Sequence, residues 1–294
     1  MLYIGFILII FIQACGQEAS RQTTLSQDTI IGENPEQTSQ KDSIINPEGE
    51  TIQSRIMPPP GSERITAKQN SFADYLRKLP LKPYKSLVRY YNGSAKPNHD
   101  VYDAVVNLEI GTKDLHQCAD AVIRLRAEYL WDHKQYSKIQ FHFTNGFLAD
   151  YTEWMQGKRI VVKGNSVYWI QKSNTSNTYQ DFWGYMETIF MYAGTLSLSK
   201  ELQAVRITDM KIGDVFIKGG SPGHAVIVVD MAVDKKTNKK FFLLAQSYMP
   251  AQEIQILKNP NNETISPWYS IDFEQRLITP EWAFKISDLK RFEE

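Results

Sequence analysis

The chain is short of cysteine: it has two in 294 residues. A disulfide-stapled scaffold is therefore excluded, and so is any four-cysteine metal site. It also lacks charge of one sign. Lys plus Arg and Asp plus Glu number 33 each, so no net field exists to recruit nucleic acid or an anionic surface. There is no glycine-rich phosphate loop and no HExxH pair, and no repeat recurs along the chain. No cofactor and no metal is expected. The longest apolar run, Leu2 to Ile12, is too short to span a membrane and fits the core of a signal peptide.

The residues just after that run decide how the two cysteines are used. Ile12-Gln13-Ala14-Cys15 resembles a bacterial lipobox, with a small residue before the cleaved bond. The expectation is a signal peptide over 1–14 and acyl chains on Cys15, which would hold the protein on the membrane of a bacterial cell envelope. Cys118 then has no partner. An idle thiol is a hazard in an oxidising compartment, so Cys118 is either buried and inert or kept for reactivity.

Residues 15–60 are polar and proline-containing, with no helical or strand period, and are expected to form a disordered tether of about 35–40 Å. A single α+β domain is expected over 61–294. Ser71 caps a short helix to Leu79, and 87–91 and 104–110 read as strands. A strong helix is expected from Leu115 to Trp131, capped by Thr112 or Asp114. Its apolar stripe runs through Leu115, Cys118, Ala119, Val122, Leu125 and Tyr129. Ile139 to Phe143 reads as a strand, Tyr179 to Ala193 as an aromatic helix stopped by Gly194, and 199–205 as another short helix.

The centre of the domain is expected at Ile212 to Ala232. Val215–Ile217 is a short strand. Gly219, Gly220, Pro222 and Gly223 form a tight turn, and Val226 to Val229 is a β-branched run suited to a strand buried on both faces. His224 opens that strand, held by a rigid sheet beside a loop, where a general base is useful. Cys118 lies near a helix start, whose free N–H groups and dipole favour a thiolate and could receive an oxyanion. Gln246 is the candidate to orient the imidazole. A hairpin loop centred on Lys235 would make His224 and Gln246 direct neighbours, and one centred on Lys236 would make them same-face diagonal neighbours. A half-residue shift would separate them onto opposite faces.

The other histidines suggest less. His116 and Cys118 point to different faces of a helix, and His99, His133 and His142 read as structural. The six tryptophans could equally stack sugars or fill the core.

A cysteine at a helix start, IGDVFIKGGSPGHAVIVV, and a polar residue on the next strand together resemble the papain-like cell-wall cysteine peptidases of the NlpC and CHAP type. Gln117-Cys118 is closer to CHAP. That resemblance implies a Cys-bearing helix packed on a mainly antiparallel sheet, and Cys118, His224 and Gln246 as catalytic residues. It also implies hydrolysis of peptide or amide bonds, with peptidoglycan stem peptides among the substrates. Segments such as DLHQCADAVIRLRAEYL and PGHAVIVVDMA further resemble an uncharacterised family of bacterial lipoproteins, a domain of unknown function. The competing expectations are a binding or scaffolding lipoprotein with an inert thiol, and a thiol acyltransferase.

Overall fold

The β-branched run after the glycine turn becomes the middle of the sheet, because nothing in it tolerates water on either side. The computed structural model describes residues 44–293. Its first elements are α1 (Ile52–Arg55), β1 (Ser62–Arg64), α2 (Phe72–Arg77), β2 (Tyr102–Val105) and α3 (Cys118–Asp132). Next come β3 (Gln140–His142), β4 (Leu148–Asp150), α4 (Tyr151–Met155), β5 (Lys158–Lys163), β6 (Ser166–Gln171), α5 (Tyr179–Tyr192) and α6 (Thr195–Glu201). The chain continues with β7 (Gln203–Ala204), β8 (Val215–Lys218), β9 (His224–Asp234), β10 (Lys240–Gln246), β11 (Gln255–Leu257) and β12 (Tyr269–Ser270). It closes with β13 (Arg276–Ile278), β14 (Ala283–Lys285) and β15 (Leu289–Arg291).

The fold is α+β, built on an antiparallel sheet of order β2-β11-β10-β9-β8-β15-β7, with β1 joined to β9 and β12 to β10. Its two faces are covered differently. Ala225, Ile227 and Val229 of β9 join the larger core with Val122 and Leu125 of α3 and Ile189 of α5. Val226, Val228 and Met231 join Phe242 and Leu244 against Leu277 and Phe284 of the β13–β14 hairpin.

Those memberships reveal an irregularity: Val228 and Met231 share a face although they are three residues apart. Lys240 to Leu243 pair with Val233 to Asp230, whereas Leu244 and Ala245 pair with Val228 and Ile227. Val229 is the extra residue of a bulge, which inverts the in-out alternation beyond it. The neighbouring Asp230 is wholly buried, and its carboxylate receives Arg64 at 2.7 Å and Arg77 at 2.6 Å. Each oxygen thus meets a guanidinium, which is how a buried charge is tolerated.

Several expectations are corrected. The segment 44–60 is not a free tether in its described part. Ile44, Ile52 and Ile56 are fully buried in the larger core, and Thr51 caps α1 through the Ser54 N–H. Three isoleucines suffice to bury a stretch whose composition is otherwise polar. Residues 1–43, and Cys15 with them, lie outside the described residues. No strand forms over 87–91. Its backbone makes only isolated bridges, Arg89 to Ala95 and Tyr90 to Gln252, around the Tyr90–Gly93 turn. The strand expected at 104–110 stops at Val105, and the helix expected at 199–205 lies earlier, as α6. The long helix starts at Cys118 rather than Leu115. Asp114 is drawn away to the Ala251 N–H at 2.7 Å, and Asp120 takes the Gln117 N–H at 3.0 Å.

Candidate functional site

Starting the helix at Cys118 places the thiol in the first turn. The first backbone bond there runs from the Ala121 N–H to the Gln117 carbonyl, so the N–H groups of Cys118 and Ala119 have no carbonyl partner within the helix. Both lie close enough to the Cys118 sulfur to favour its thiolate, as does the N–H of Ala225, the residue after His224. The thiol therefore sits beside the first residues of β9.

His224 is held from three sides. Its ring lies 4.7 Å from Tyr248, 5.3 Å from Trp282 and 5.8 Å from Phe284, centroid to centroid. The turn before it cannot drift: a Cβ on Gly223 would fall 2.4 Å from Thr195 Oγ1 and 2.3 Å from the Gly220 carbonyl. Glycine is the only residue that lets this turn dock against α6.

The bulge at Val229 supplies the third member. Beyond it the hairpin follows the register of a loop centred on Lys236, and Gln246 becomes a same-face diagonal neighbour of His224. His224 Nε2 and Gln246 Oε1 are 2.8 Å apart. Gln246 Nε2 donates to Glu281 Oε2 at 2.7 Å, and Lys96 Nζ meets the same oxygen at 2.7 Å. A carboxylate only accepts, so the amide nitrogen must face Glu281 and the amide oxygen must face the ring. His224 then carries its proton on Nε2, and Nδ1 keeps a lone pair.

The electrostatics correct one expectation. The helix start does not depress the thiol. Cys118 is 8 % exposed, and burial pushes it up to about 11, assisted by the Asp120 carboxyl, against the pull of the Ala225 N–H. Burial likewise lowers His224, 1 % exposed, to about 4; the Gln246 hydrogen bond opposes this and Lys96 adds to it. Two desolvated groups with no opposite charge at hand both rest neutral. No hydrogen bond joins the Cys118 sulfur to the His224 ring among the described residues. Asp120 is pushed up to about 8 by burial, and its Oδ1 has no hydrogen-bond partner among the described residues.

Cys118, Asp120, His224, Tyr248 and Trp282 line one cleft of about 670 Å3, with Gly220 to Gly223 along its wall. That is room for a peptide-sized ligand. A smaller cavity of about 370 Å3, bordered by Ile65, Phe72, Ile212 and Phe292, has neither cysteine nor histidine in its lining.

A family model spans residues 52–291, described as domain of unknown function 4846. The chain belongs to that family. Comparison with curated proteins and with solved structures gave no match. The 4846 domain thus includes α1, which lies in the expected tether, and all the residues of the cleft.

Lys96 and Glu281 were not foreseen. They sit in irregular segments without period or motif, and only the fold brings them to Gln246. His116 is fully buried against Phe190, and burial lowers it to about 3. Among the described residues no group of three or more His, Cys, Asp or Glu is arranged to hold a metal.

Proposed function

We propose that this 4846 domain is a cysteine hydrolase of papain-like arrangement, cleaving peptide or amide bonds through a thioester on Cys118. The observation that carries the reading is the shared cleft: a thiol at a helix start, a strand histidine beside it, and an amide that leaves His224 Nδ1 as the basic nitrogen. Nδ1 takes the thiol proton as sulfur attacks the substrate carbonyl. The developing oxyanion faces the N–H groups of Cys118 and Ala119. The C–N bond breaks, the imidazolium protonates the leaving amine, and an acyl group remains on sulfur. Water then attacks the thioester with His224 again as base, releasing a carboxylic acid and restoring the thiol.

Burial holds both the thiol and the imidazole neutral at rest, so proton transfer accompanies attack rather than preceding it. The same burial favours one rival, a binding lipoprotein with an inert thiol.

The proposed setting is the bacterial cell envelope, with lipid on Cys15 as the anchor and peptidoglycan stem peptides as the first substrates to assay. No helix of the described residues is long and apolar enough to cross a membrane. Incubation with stem peptides, followed by mass spectrometry, should show cleavage products and an acyl adduct on Cys118. Both should vanish in Cys118→Ala and His224→Ala. Failure of Cys118 to react with any acyl donor or with iodoacetamide until the protein unfolds would leave the binding reading in place.

A further inference from the structure

We infer that Lys96 and Glu281 are positioning residues that dictate which nitrogen of His224 carries the proton, acting through the Gln246 amide. The inference rests on His224 being the base proposed above, but its geometry stands apart from any substrate. Both described hydrogen bonds of the Glu281 carboxylate end on Oε2, one from Lys96 Nζ and one from Gln246 Nε2, each 2.7 Å long. The Lys96 side chain is 4 % exposed and that of Glu281 16 %. A desolvated ion pair is a poor stabiliser compared with apolar packing, so its presence here is weakly explained by stability alone.

Its chemical consequence is directional. Glutamine is symmetric in shape and can present either end of its amide to the histidine. An ionised Glu281 removes that freedom, because it has nothing to donate. The amide nitrogen is spent on Glu281, the oxygen is left for His224, and the ring must answer with Nε2–H. If Glu281 gained a proton, its O–H could donate to the amide oxygen. The amide could then turn, offer its nitrogen to Nε2, and leave the proton on Nδ1. The base facing the reaction would be lost without any change in fold. The ion pair with Lys96 holds Glu281 Oε2 as an acceptor and so keeps the amide pointing one way. Tyr248 also faces Glu281, and its ring lies 5.8 Å from Lys96 Nζ.

Uniformly 15N-labelled protein gives the test, since long-range proton–nitrogen spectra show which ring nitrogen is protonated. His224→Ala identifies the signals among the five histidines. Wild type should show Nε2–H at neutral pH. Glu281→Gln, which can donate or accept, should give a mixture of the two forms. Lys96→Met, which takes the cation away from Glu281 Oε2, should let Nδ1–H appear beside Nε2–H at neutral pH. If Glu281→Gln does not fold, Lys96→Met carries the test alone. Nδ1–H in wild type at neutral pH, or pure Nε2–H in every folded variant at neutral pH, overturns the inference. The expected tautomers together with no acyl adduct on Cys118 would uphold the positioning role and remove the hydrolase reading.

Discussion

The two halves of β9 treat burial in opposite ways. In the second half Asp230 is fully enclosed, and Arg64 and Arg77 reach both of its oxygens. In the first half His224, with Cys118 beside it, is nearly as enclosed, but no opposite charge touches either, and both rest neutral. An enclosed charge with its partners in place serves the fold, pinning the bulge at Val229. Enclosed neutral groups bordering a cleft are, in the hydrolase reading proposed above, protonated until substrate arrives. The halves are also linked, because the bulge beside Asp230 puts Gln246 on the face of His224.

The contrast breaks first in stability. Asp230→Ala leaves two guanidinium groups without their carboxylate and should cost about 3–5 kcal/mol in urea unfolding. A loss below about 1 kcal/mol would mean water reaches the arginines, and the comparison would fail. A control away from both halves is Ile52→Ala, which opens a cavity under α1 and should cost about 3 kcal/mol by the same measurement. No effect there would return 44–60 to the status of a tether.

Cys118 sharpens the comparison through pH. Its thiol sits at about 11 in the folded chain, against 9.0 for an unperturbed thiol. A raised value means the folded state holds its proton longer. The stabilisation is complete below pH 9 and disappears as pH rises through about 11, a total of about 2–3 kcal/mol. Across pH 8 to 11 wild type should lose that amount relative to Cys118→Ala, so that the mutant ends as the more stable of the two. Parallel curves would show a solvated thiol. At neutral pH Cys118→Ala itself should cost only about 1 kcal/mol, well below Asp230→Ala. The hydrolysis proposed for the cleft requires neutral His224, so kcat/KM should fall on acidification with a limb near pH 4 rather than near 6.5.

Much of the sheet was legible because its signals are local. The glycine turn, the run Val226 to Val229 and the helix stripe through Val122 and Leu125 each announce burial within a few residues. The α+β class, the two strands around the turn and the aromatic helix α5 rest on those signals. Cys118, His224 and Gln246 could be singled out for the same reason: residue type and position within an element. Helix and strand ends were less legible, since caps such as Asp114 were claimed by distant backbone at Ala251.

By itself the sequence determined the central β8–β9 hairpin, the helix that carries the thiol, and a neutral chain with one cysteine left to explain. Tertiary structure decided the rest. Whether Gln246 faces His224 depends on one extra residue at Val229, and a hairpin count cannot foresee a bulge held by arginines from β1 and α2. Whether the thiol is acidic depends on how much water reaches it, which no helix-start rule contains. The amide direction depends on Lys96 and Glu281, separated by 185 residues. Hydrogen-bond direction and desolvation belong to the assembled surroundings of a group, and those surroundings exist only once the chain has folded.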